Sequence, residues 1–210
     1  MKALLVLLLV GCGSYSTYRT TRIAPAGKTE WLFGAQASGA SIPDRGGVPL
    51  PEFAIGARRG LGDRYELQLN TTSLALRQFR TGSLELAGKV RLAESGRWSL
   101  AAGAAVGYRI AETGGAIVEG VQTALPVIGA VDLGKNQLVF SVVGGYQRYY
   151  SSGARPVSVP FIGDSLGFRW QINGRWALLP ELGFAYTPTG NFMSEDSRLF
   201  HGGLAVLYTR

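Results

Sequence analysis

The feature that most restricts this chain is an alternation of large apolar with small or polar side chains that recurs from Thr29 to the C-terminus. Successive side chains of a β-strand point to opposite faces, so each such segment carries one oily face and one small or polar face. The period is two, not the 3.6 of an amphipathic helix. Ten candidate strands result, over residues 29–40, 50–60, 64–76, 82–93, 97–110, 116–133, 136–150, 157–172, 175–188 and 198–209. The fifth is the clearest, with Trp98, Leu100, Ala102, Ala104, Val106, Tyr108 and Ile110 opposite Ser99, Ala101, Gly103, Ala105, Gly107 and Arg109. The fourth sets Leu84, Leu86, Val90 and Leu92 against Ser83, Glu85, Lys89 and Arg91. The ninth sets Trp176, Leu178, Leu182, Phe184 and Tyr186 against Ala177, Leu179, Glu181, Gly183 and Ala185.

The connections alternate in length. Short turns sit at Gly60–Asp63, Glu94–Gly96, Gly134–Lys135 and Asn173–Gly174, and Asn-Gly is a strong hairpin signal. Longer loops occupy Ser41–Pro49, Ser151–Pro156 and Pro188–Ser197, with modest ones near Arg77–Thr81 and Ala111–Gly115. The candidate strands run well beyond the usual ~5–6 residues. Strands this long expose hazardous edges, which closure removes. The expectation is therefore an all-β, antiparallel, up-and-down barrel of about ten strands.

Which face of such a barrel meets water is a separate question. A soluble calyx points its oily face inward, a membrane barrel outward. The Gly-x-Trp pattern is similar to the lipocalin signature, but that family carries it once, whereas here it occurs at Gly96-Arg97-Trp98 and again at Gly174-Arg175-Trp176. The non-oily faces are mainly Gly, Ala and Ser, a poor exterior for a soluble protein. Charged residues make up 17% of the 210-residue chain, against about 25% in an ordinary soluble domain. A tyrosine follows each tryptophan at the same interval, as Tyr108 and Tyr186. That interval spans ~33 Å along a strand, or ~25 Å once tilted, which is the height of a membrane barrel's apolar band. Trp98, Tyr108, Trp176 and Tyr186 are therefore expected at the two membrane–water interfaces. The chain resembles small outer-membrane β-barrel proteins, which implies a transmembrane barrel with short turns toward the periplasm and longer loops outside. Both termini then lie inside. The alternative is a soluble, lipid-anchored barrel or sandwich.

Met1-Lys2, the apolar run Ala3–Val10, then Gly11 and Cys12 form a short export signal, far too short for a span. Leu9-Val10-Gly11-Cys12 resembles the lipobox of bacterial lipoproteins. The resemblance implies acylation of Cys12, a palmitate-type anchor on the periplasmic side of an outer membrane. The domain reading is a signal peptide over 1–11, a lipidated tether over 12–28 and the barrel over 29–210.

Chemistry is scarce. With one cysteine and one histidine no metal site is expected, and no cofactor is expected either. The net charge is +7, but its bases are scattered, so nucleic acid is not an expected partner. Outer-membrane lipid is expected, as are envelope proteins met by the outer loops. His201 is a weak catalytic candidate. It has inward parity near the outer end of the last segment, just after Ser194, Glu195, Asp196 and Ser197, and a lipid hydrolase could be built from such groups. Inward parity also assigns Arg58, Glu66, Glu85, Lys89, Arg91, Arg109, Arg169 and Glu181 to the lumen, where charges of both signs must pair or bear a severe desolvation cost. A selectivity constriction is the sharper reading of the same residues. The small inner face of the fifth segment leaves a cavity there for a small ligand or for residues 14–23. The leading functional expectation is a non-catalytic barrel with a structural or interaction role. A small-solute pore or ligand-binding barrel is second, and a lipid-modifying enzyme third. Pro126 and Pro180 fall inside predicted strands, and Glu119 and Asp164 fall on oily faces near the outer rim.

Overall fold

A computed structural model describes residues 18–41, 50–76, 79–113, 116–151, 155–187 and 197–210. It forms ten strands: β1 (Thr29–Ser41), β2 (Leu50–Gly60), β3 (Tyr65–Leu76), β4 (Phe79–Ser95), β5 (Trp98–Thr113), β6 (Ala116–Leu133), β7 (Asn136–Ser151), β8 (Val157–Gln171), β9 (Trp176–Thr187) and β10 (Ser197–Thr209). Each pairs antiparallel with its chain neighbours, and β1 closes on β10 from Glu30↔Thr209 to Ser41↔Arg198. The result is the expected closed up-and-down barrel. Its hairpin turns use the left-handed backbone at Gly96 and Gly134, where φ is +58° and +68°.

The oily faces point outward. Phe53, Leu69, Leu86, Val106, Leu125, Val142, Leu166, Leu182 and Leu204 project from successive strands, and Leu125 and Leu182 are 66% and 69% exposed. A large apolar side chain costs about 1.5–3 kcal/mol to leave in water. A belt of them around a closed sheet fits a hydrocarbon surround, and the fold is a transmembrane barrel. Among the described residues no helix is long and apolar enough to cross a membrane.

Both prolines sit within full-length strands. Pro126 pairs with Val143 of β7, but the β5–β6 ladder is interrupted beside it, between Ala102↔Val127 and Ala105↔Ala124. Pro180 pairs with Leu204 of β10, and the β8–β9 ladder is interrupted between Gly167↔Glu181 and Trp170↔Leu178. Each proline thus lies where one ladder is interrupted, as its missing N–H requires, while the ladder on its other side stays whole. A register shift between Arg91 and Ala93 irons out the longer β4 against β5.

The interior is packed. Ala87, Ala105, Ala124, Ala185 and Phe161 form one buried cluster with Val143 against it. Tyr18, Leu32, Ala54, Ala177, Leu179, Ala205 and Leu207 form another. The second contains a residue that belongs to no strand.

Candidate functional site: an occupied lumen

Tyr18 to Ala24 run inside the barrel, and Pro25 to Lys28 lie exposed at its mouth. The segment enters beside β2, where Ala26 bridges Gly60 in parallel and the Gly27 amide donates to the Gly60 carbonyl at 3.1 Å. Gly27 has φ +72° and turns the chain, with the Lys28 amide donating to the Pro25 carbonyl at 2.8 Å. A Cβ on Gly60 would lie 1.9 Å from the carbonyl oxygen of Ala24, so only glycine admits the strap there. Farther along, Tyr18, Arg19, Thr20 and Thr21 are buried at 1%, 6%, 0% and 1% exposure.

The strap is bound by wall groups that sequence parity sends inward. The Lys89 ammonium donates to the carbonyls of Thr20 and Arg22 at 2.8 and 2.9 Å and pairs with Glu66 at 2.8 Å. Glu66 in turn accepts from the Ala24 amide at 2.7 Å. Arg19 pairs with Glu85 at 3.0 Å, and Thr21 and Ser99 share a hydroxyl hydrogen bond of 2.6 Å. Arg22 reaches Asp132 at 3.1 Å. The Tyr18 hydroxyl donates to the carbonyl of Ala35 at 3.1 Å.

A second node lies alongside. Glu30 pairs with Arg58, and with Arg169 at 3.0 Å, and accepts from the Thr209 hydroxyl at 3.1 Å. Gln36 donates to Glu52 at 2.8 Å. These groups are buried, and a buried ion pair holds only while both partners stay. Parity reasoning overlooked Glu30 and Asp132. Glu30 alternates with outward Trp31 and Phe33, and that signal was available.

The remaining sequence candidates fall as follows. Glu181 is buried on the inner face at 4% exposure. Arg109 is half-buried and lines a small cavity with Tyr18, Asn70, Glu85 and Gln122. Arg91 is a correction. It stands at the short-turn rim, paired with Glu94 at 3.0 Å and donating to the Asp63 carbonyl at 2.8 Å, because β4 outruns the wall and turns there. Its partners are turn groups, not the buried network. Trp98, Tyr108 and Trp176 face outward at 60%, 45% and 41% exposure, and Tyr186 is half-exposed on the same side of β9. Tyr108 donates to Glu119 at 2.7 Å on the outer surface, and Trp176 packs on Tyr208 with ring centroids 4.6 Å apart. Asp164 also faces outward, between Val142 and Phe184, one same-face step below the Ile162↔Tyr186 pair.

His201 is buried at 4% exposure and lies over Gly183, where a Cβ would come within 2.3 Å of Nε2. It hydrogen-bonds the backbone carbonyl of Asp164, and its Nδ1 has no hydrogen-bond partner among the described residues. Cys12, Ser194, Glu195 and Asp196 lie outside the described residues, as do most of the longer loops. Among the described residues no three His, Cys, Asp or Glu side chains gather as a metal site.

No protein-family model matches the sequence, and no curated protein matches it. Solved structures do resemble it. The outer membrane channel from Pseudomonas putida F1 superposes with a TM-score of 0.56 at 10% identity, covering 93% of this chain and 98% of that one. The translocator domain of autotransporter NalP from Neisseria meningitidis superposes with a TM-score of 0.51 at 11% identity, covering 99% and 94%. At these identities the likeness is one of fold, the outer-membrane type of β-barrel.

Proposed function

We propose that this chain is an outer-membrane lipoprotein, acylated at Cys12 on the periplasmic side, whose barrel has a non-catalytic structural or interaction role. Its lumen is closed by its own N-terminal segment, and its outer loops meet envelope partners. The observation that carries the reading is the filling of the lumen. Tyr18 packs against residues of β1, β2, β9 and β10, while Phe161 packs among residues of β4 to β7 and β9. The strap crosses the mouth below them. A pore needs a continuous water path, whereas here the inner charges are spent on one another and on the strap. In planar bilayers the purified chain is expected to give no conductance steps. Regular steps from the unaltered protein would overturn the reading.

The second reading is a small-solute pore that the strap keeps shut. It is favoured by the wall behind the strap. Glu66, Glu85, Lys89 and Asp132 are polar groups satisfied by strap atoms, and water would satisfy them equally well. One of the similar structures is an outer membrane channel. Deleting residues 18–26 distinguishes the two. Conductance from the deleted barrel supports the pore. A silent barrel that still folds, judged by its heat-modifiable gel mobility, leaves the structural role.

A further inference from the structure

At the periplasmic mouth, between the strap and the wall, lies a cavity of about 280 Å³. Its lining includes Thr20, Arg22 and Ala24 of the strap, Glu30 of β1, Lys135 of the β6–β7 turn and Arg169 of β8. The charges do not balance, since Arg22, Lys135 and Arg169 face one carboxylate. That carboxylate is already committed, because Glu30 accepts from Arg58, Arg169 and Thr209. Arg22 has Asp132. What remains around the cavity is donor capacity and positive charge. Arg169, on a side chain only 8% exposed, gives one N–H to Glu30 and one to Gln171 out of the five a guanidinium carries. The Lys135 side chain stands exposed at the rim.

Water could fill such a space, but water does not neutralise an excess of cations. A carboxylate or phosphate does both, accepting from the guanidinium and pairing with the ammonium in charge-assisted bonds. We propose that this cavity binds a small anionic solute carrying a carboxylate or phosphate group, held between Arg169 and Lys135 with the strap as one wall. The volume lies just under the ~300–1,000 Å³ of common ligand pockets, which restricts the solute to a small one. The site opens at the short-turn end, so the solute comes from the periplasm. The inference goes beyond the role proposed above. It needs the strap to be seated, and it does not need the barrel to conduct.

The test is calorimetric titration of the folded full chain in detergent at low ionic strength, with inorganic phosphate in one arm and succinate in the other. Saturable binding in the millimolar range or tighter is expected in at least one arm, and the tighter arm identifies the group recognised. Lys135→Gln is expected to weaken it about 5-fold or more, as should 0.5 M salt, since the rim pair is screened. Arg97→Gln removes a basic residue from the β4–β5 turn, outside the cavity lining, and should leave binding unchanged. No saturable heat in either arm overturns the proposal. So does a Lys135→Gln protein that binds like the parent. Equal weakening by Arg97→Gln also overturns it, because the attraction would then be diffuse charge and no site.

Discussion

Tyr18 is seated where two neighbouring strands leave out side chains. A Cβ on Gly34 of β1 would lie 2.8 Å from its ring, and one on Gly203 of β10 would lie 2.2 Å from its hydroxyl. Tyr18 itself has φ +46°, a left-handed conformation costly for a residue with a side chain and kept only where packing enforces it. Gly203→Val should therefore evict the ring, because the other near contacts, the Gln36 Cβ at 2.8 Å and the Ala35 carbonyl at 2.9 Å, belong to or are fixed on the β1 backbone and cannot yield. The measurement is limited trypsin digestion read by mass spectrometry. The parent protein should resist cutting after Arg19, which is 6% exposed, and the variant should be cut there at least several times faster. Equal resistance would show that the seat is not what holds the strap. Glu30 offers a second test. It is the one carboxylate shared by two buried guanidiniums, so Glu30→Gln strands more positive charge inside the wall and should destabilise the barrel by about 3–5 kcal/mol, seen as a lower urea midpoint. Exchanging Glu30 and Arg58 together for methionine should recover much of that loss, since an apolar pair leaves less charge uncompensated.

The strands were legible one by one, while the strap was not. A strand between lipid and lumen must alternate, and that alternation survives in sequence as Trp98–Ile110 or Trp176–Tyr186. Boundaries moved by more than one residue only where a ladder extends into a hairpin, as in β4, which begins at Phe79 and shortens the loop expected near Arg77–Thr81. Residues 18–28 carry Tyr, Arg and Thr without a period, and such a stretch reads as a solvated tether. Polar side chains are equally at home in water and in a polar lumen, so composition does not separate the two. The small inner face of the fifth segment was the one local hint, and Thr21 does lie against its Ser99. Charge parity placed Lys89, Glu66 and Glu85 inward but not what they bind, because their partners are largely strap backbone carbonyls and an amide. The prolines make a prediction at this scale. Gly103 of β5 faces the break beside Pro126, and a Cβ there would meet the Gly88 carbonyl at 2.7 Å and the Pro126 ring at 3.3 Å. Gly103→Val should cost about 1–3 kcal/mol by overpacking, whereas Gly144→Ala, with nothing within 4 Å, should change the urea midpoint little. Similar losses for both would mean that the break carries no special packing.

At the scale of the whole molecule the barrel's belt and the proposed acyl anchor differ greatly in the strength with which they would hold the chain in a membrane. The anchor is the acyl group proposed at Cys12. Each buried CH₂ of such a chain contributes ~0.8 kcal/mol, and a single myristoyl-length chain gives only marginal, reversible attachment. The other is the barrel's own outer belt, where residues such as Phe53, Leu125, Leu182 and Phe184 are each more than 60% exposed around a sheet with no free edge. At about 1.5–3 kcal/mol for each large side chain, the belt outweighs any acyl anchor many times over. Acylation at Cys12, as proposed, would then serve sorting and orientation, and the belt is what keeps the protein embedded. Cys12→Ala should consequently lose any incorporated palmitate label yet stay in the outer-membrane fraction through a carbonate wash. It should keep the heat-modifiable mobility of a folded barrel. The same variant, extracted and transferred out of detergent, should aggregate. If it instead became monodisperse in plain buffer, the belt would have to be covered by something other than lipid, and the outward faces of Trp98, Tyr108, Trp176 and Tyr186 would need another explanation.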